Sequence, residues 1–174
     1  MDDEYFTHVL AIDPGTTSSA WLLLHGEHPL KGCCGIEDNN DLLTRLRIRH
    51  FEHTTLLAIE QMQSMGMAVG QECLETQYWV GRFVEAWERA GRRTRRLFRG
   101  EVKMYLCGSS RAKDSNVRQA LIDIFGGKDK AIGTKKSPGP CHELKSHLWS
   151  ALAIGITACE LETDRMIDER KDQP

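Results

Sequence analysis

No part of this 174-residue chain approaches the roughly 20 consecutive apolar residues that a membrane-spanning helix needs, so a membrane span is excluded. The beginning, Met1-Asp2-Asp3-Glu4, lacks the basic start and apolar run of an export signal, which sets the expectation of a protein that stays in the cytoplasm. No CxxC pair is present to suggest zinc. The six cysteines, at 33, 34, 73, 107, 141 and 159, are scattered, and free thiols are expected rather than a disulfide frame. No repeat and no linker divides the sequence. At 19.7 kDa the chain suits one compact domain, expected over residues 1–162 and followed by a charged, loose tail at 163–174. Hydrophobic residues at 40% and charged residues at 28% are ordinary for a folded domain.

The formal net charge of −2 hides an asymmetry. From Arg89 to Arg118 there are ten Lys or Arg against two acids, whereas from Glu160 to Pro174 there are six acids against three bases. A basic block on a neutral protein fits a phosphate-rich partner on one face. It equally fits a solvated surface with acids folded beside the arginines.

Short apolar runs at His8–Ile12, Ala20–Leu24 and Leu30–Ile36, joined by turn residues, predict an antiparallel meander. A helix is expected near Leu42–His50, a buried strand at Thr54–Ile59, a Met- and Gly-rich loop at 61–70, and a helix over Glu72–Ala90. The apolar face of that helix, with Tyr78, Trp79 and Phe83, is the candidate dimer surface. A short strand at Thr94–Phe98 precedes a basic loop at Gly100–Lys113. A helix capped by Asp114 or Ser115 follows, then a polar loop at 128–140 and a last helix from about Glu143 to Leu161. This order predicts an α/β domain with a mixed sheet.

Asp13 and Glu60 each end a predicted strand. If those strands are neighbours, two carboxylates meet at one end of the sheet and call for a cation between them, with hard oxygen ligands favouring Mg2+ or Mn2+. In the last helix Glu143, His147 and Ser150 are spaced to share one face. Two ions so placed can activate water and stabilise a leaving oxygen in phosphodiester cleavage. Singly, each residue has an ordinary explanation: a turn aspartate, a solvated strand end, a packed histidine. Three of them at three element ends point to a shared site.

The run His8-Val-Leu-Ala-Ile-Asp-Pro-Gly15 with its meander resembles the first hairpin of RuvC-like Holliday junction resolvases, in the ribonuclease H-like superfamily. Leu56-Leu-Ala-Ile-Glu60 resembles their second acidic strand. Val102-Lys103 through Gly108, Arg111-Ala-Lys113 and Val117 resembles their basic loop and following helix. Ser146-His147-Leu-Trp-Ser150-Ala-Leu-Ala153 resembles the last helix, in the form of phage and prophage members.

The resemblance implies a ribonuclease H-like five-stranded mixed sheet, an antiparallel meander plus parallel strands, with helices on both faces. It implies a homodimer acting on four-way or branched DNA in a bacterial or phage-infected cytoplasm, with Mg2+ or Mn2+ as cofactor, two ions per site. Asp13, Glu60 and His147 match catalytic and metal-binding positions. Ser150 stands where many members have Asp, so the fourth ligand is open between Ser150 through water and Glu143. Lys103, Arg111, Lys113, Met65, Met67 and Gln71 are the implied DNA contacts; the methionines could wedge into the junction or pack beneath their loop. Two competing readings stand: a branched-DNA-binding module with little or no cleavage, motivated by Ser150, and an actin- or sugar-kinase-like ATP-binding protein. The latter is motivated by Asp13-Pro-Gly-Thr-Thr-Ser18, which also resembles a phosphate loop.

Overall fold

A computed structural model describes residues 8–51, 53–63, 66 and 68–171, without the side chains of residues 30, 31 and 166–171. The strands are β1 (His8–Asp13), β2 (Ser18–His25), β3 (His28–Asp38), β4 (Leu56–Gln61) and β5 (Arg93–Phe98). The helices are α1 (Asn39–Arg47), α2 (Gln71–Glu88), α3 (Arg99–Cys107), α4 (Asp114–Ile124), α5 (Lys128–Ala131) and α6 (Leu148–Lys171). The sheet runs β3-β2-β1-β4-β5. The meander β1-β2-β3 is antiparallel, and β1, β4 and β5 are parallel. The mixed sheet is therefore the one expected.

Alternation along β1 and β4 assigns the layers. Val9, Ala11, Leu56 and Ala58 face one core with α3, α4 and α6. Leu10, Ile12, Leu57 and Ile59 face the other, with α1 and α2. Both faces of these central strands are covered, which is why they read as continuous apolar runs.

Helix α6 is apolar on nearly every side over its first turns, because it lies between the sheet and α3 and α4. Gly155 permits that approach: a Cβ there would stand 2.3 Å from Leu24 Cδ1 and 3.1 Å from Ala11 Cβ.

Several boundaries differ from expectation. The basic segment 100–113 is mostly helical, as α3. Val102 and Leu106, four residues apart, pack on the core, and the Glu101 carboxylate accepts from the Phe98 N–H at 2.6 Å to start the helix. Gly108, at φ 67°, ends it. Neither Asp114 nor Ser115 caps α4. Lys113 is the cap residue, and its N–H donates to the Asn116 side chain at 3.1 Å.

Helix α6 starts at Leu148 rather than near Glu143, and it continues to Lys171, through most of the expected tail. A buried carboxylate, Glu162, ties that extension to Arg93 and Arg95 of β5 and to Arg165. On α2, Trp79 and Phe83 belong to the core, and Tyr78 is the exposed member of the expected trio, with Leu74 beside it. The six cysteines are free. Among the described residues no helix is long and apolar enough to cross a membrane.

Candidate active site

Asp13 and Glu60 are the next residues after Ile12 and Ile59, which are register partners in the parallel β1–β4 pair. Both carboxylates therefore leave the C-terminal ends of adjacent strands. By the same alternation both point to the α6 side. That is where open sheets of this kind build sites. Their side chains are about one-tenth exposed.

The turn after Asp13 is fixed by a buried polar network that sequence patterning did not reveal. The Gly15 N–H donates to Ser19 Oγ at 3.2 Å, the Ser19 hydroxyl donates to Asn39 Oδ1 at 2.6 Å, and Asn39 Nδ2 donates to the Gly15 carbonyl at 3.0 Å. Gly15 itself is required, since a Cβ would lie 2.3 Å from the Ser18 carbonyl oxygen. The only legible signal was a polar Ser and Asn at element ends.

His147 precedes α6, and its Nδ1 lies 3.0 Å from Asp13 Oδ2. Ser150, in the first turn of α6, lines the same cleft as Asp13 and His147. Arg99 belongs to the basic block at 89–118. Its Nη1 lies 3.2 Å from Glu60 Oε2, and its Nη2 lies 2.8 Å from Asp114 Oδ1. Lys103 Nζ is 3.1 Å from that same Asp114 oxygen. All of these residues line one cleft of about 1150 Å3 between α3, α4 and the start of α6.

Burial pushes the Asp13 carboxyl above its usual range, and His147, Arg99 and Ser150 only partly offset it. Burial likewise raises Glu60; the negative charges of Asp13 and Asp114 add to the rise, and Arg99 counters it. Burial makes both carboxylates costly to ionise, a cost that an added cation would offset.

That donor set fits a hard divalent cation shared by Asp13 and Glu60. Among the described residues no group of three His, Cys, Asp or Glu side chains is already gathered for a metal. Asp13 and His147 are brought together, whereas Glu60 is held by Arg99.

Other candidates fall elsewhere. Glu143 lies in the turn before α6, not one helical turn from His147, and lines a separate small pocket with Cys34 and Pro138; it is not part of this cleft. Lys103 is a helix residue rather than a loop residue. Arg111 and Lys113 are exposed on the short loop between α3 and α4, outside the cleft lining, and Gln71 is exposed at the start of α2. Met65 and Met67 lie outside the described residues. Met62, from the same loop, does line the cleft and is 41% exposed.

The strand order, the parallel placement of β4 and β5 beside an antiparallel meander, and helices on both faces define a ribonuclease H-like α/β fold of the RuvC type. Two solved structures of Thermus thermophilus RuvC share it. One matches with a TM-score of 0.65 at 20% identity, covering 91% of this chain and 97% of that one. The other, that protein in complex with a Holliday junction substrate, matches with a TM-score of 0.64 at 19% identity, covering 91% and 96%. No protein-family model and no curated protein sequence matches the chain.

Proposed function

We propose that this chain is a metal-dependent endonuclease that cuts phosphodiester bonds at four-way or otherwise branched DNA, acting in the cytoplasm. The observation that carries the reading is the side-by-side exit of Asp13 and Glu60 from β1 and β4 toward His147, on a fold shared with a protein solved on a Holliday junction.

Asp13 and Glu60 would hold Mg2+ or Mn2+; when bound, such an ion acts as a Lewis acid toward a phosphodiester and its attacking water. His147 turns Nδ1 to Asp13, and in this reading its other ring nitrogen, Nε2, is the group left to serve the reaction at the cleft. Ser150 lines the cleft beside them. Lys103 stands on the cleft wall, where it can neutralise a strand's phosphates, and Arg111 and Lys113 extend that charge along the α3–α4 loop. A four-way junction has two-fold symmetry and so has a cyclic dimer, so paired nicks call for two copies. The exposed Leu74 and Tyr78 of α2, with Arg82 stacked over Tyr78, are the surface through which we place that contact.

The nucleotide-binding alternative is weakened by the Gly15 amide, which is occupied by Ser19 instead of facing a phosphate. A junction-binding protein without cleavage retains one supporting observation, the hydroxyl of Ser150 where the resemblance has a carboxylate. Incubation with a mobile four-way junction and Mg2+ or Mn2+ separates the two. Symmetric nicks that vanish in Asp13→Asn support the nuclease; tight binding with no nicks under either metal supports the module.

A further inference from the structure

We infer that Arg99 and Lys103 form a phosphodiester-binding subsite, which the chain fills with its own Asp114 carboxylate when DNA is absent. The nuclease reading supplies the ligand's identity, and the geometry supplies the subsite. The two cations are four residues apart on α3 and so share one face. They converge on a single oxygen, Asp114 Oδ1, at 2.8 Å from Arg99 Nη2 and 3.1 Å from Lys103 Nζ. Two cationic donors on one oxyanion oxygen is how proteins hold phosphate. Among the described residues Asp114 is the ion-pair partner of Lys103, and no second acid pairs with it.

Exposure distinguishes this contact from a structural bridge. The Lys103 and Arg99 side chains are 18% and 41% exposed, and that of Asp114 is 69% exposed. The cations belong to the cleft wall; the acid reaches in from solvent and can leave at small cost. Partial burial raises the Asp114 carboxyl, but hydrogen bonds and charge from Lys103 and Arg99 outweigh it and hold the group below its usual range. Asp114 therefore stays ionised and remains a competitor for any incoming anion. Arg99 also reaches Glu60, so the subsite adjoins the carboxylate pair, and a phosphate there would lie next to them. Once displaced, Asp114 remains in the first turn of α4, where negative charge is favourable.

The test is fluorescence anisotropy with a fluorescein-labelled four-way junction in EDTA across a salt series. It compares wild type, Asp114→Asn, Lys103→Ala and the double variant, with folding checked by circular dichroism. Asp114→Asn should bind several-fold more tightly, with a log–log salt slope steeper by up to about 1. The gain should disappear when Lys103 is also replaced. Asp114→Ser, which preserves a good helix-start residue, should show the same gain. If wild type binds the junction and both Asp114 variants bind no tighter, the subsite inference fails and the nuclease reading stands. If wild type binds no DNA, the nuclease reading itself fails.

Discussion

The arginines of β5 and the cations of α3 come from one basic run, and the fold treats them oppositely. Arg93 and Arg95 converge on Glu162, whose side chain is 5% exposed, and Arg96 lies 4.0 Å from Glu88. Arg92 caps the Phe51 carbonyl and stacks on Trp87. A few residues later, Lys103 meets an acid that is 69% exposed, at the mouth of a cleft, and Arg99 shares that acid while its other amino group reaches the buried Glu60. A charge run in a sequence is thus no measure of a binding surface. What decides is whether the partner acid is buried, which makes the bridge part of the fold, or exposed, which leaves a cation such as Lys103 able to exchange it for a ligand.

The contrast is sharpest at the acids. Glu162→Ala leaves two β5 arginines and Arg165 without their shared carboxylate. It should lower stability by about 1–3 kcal/mol, less than a fully buried pair would lose because the arginines are partly solvated. Denaturant unfolding measures this, and junction affinity should be unchanged. Next in size is the salt response. Lys103→Ala should reduce the slope of log affinity against log salt by about 1, whereas Arg96→Ala should leave it as in wild type. Equal slopes for the two variants would erase the distinction drawn between the regions.

Much of this was readable in the residues. The strands announce themselves as apolar runs, and Asp13 and Glu60 are the first polar residues after them, so their meeting required only that β1 and β4 be neighbours. The chemistry of α3 was hidden. Its apolar pair, Val102 and Leu106, is interleaved with Lys103, Met104 and Tyr105, and Gly100 sits in its first turn, so the segment imitates a loop. The start of α6 was misplaced because Glu143, His147 and Ser150 keep helical spacing across a turn that is not helical. Nothing local could show that Glu162 would face β5 from a distant helix, or that Asn39 would hold the Asp13 turn; both depend on contacts far apart in sequence.

Smaller effects follow from the raised carboxyls. Because burial makes ionised Glu60 costly, the folded state holds that proton more tightly than the unfolded chain, and the penalty is present at neutral pH. Glu60→Gln in metal-free buffer should therefore melt no lower than wild type, as a functional group held at a cost to stability should.

At the opposite end of the sheet, a hydrogen bond to Glu160, with partial burial, pushes Glu27 from 4.5 up to about 7. The folded chain keeps that proton between those values while the unfolded chain loses it. The relative stability is full below about 4.5, drains away as pH rises toward 7, and then levels. Glu160→Gln should give a slightly higher melting temperature than wild type above pH 7, with the difference closing below pH 5. The effect is small because Glu27 is largely exposed.

The carboxylate pair is tested most directly by Glu60→Gln on a labelled four-way junction, with binding and nicking read in parallel in Mg2+ or Mn2+. The pair acting as a metal holder predicts junction affinity close to wild type and no detectable nicks. Nicking at the wild-type rate, or loss of binding together with cleavage in a folded variant, would contradict it.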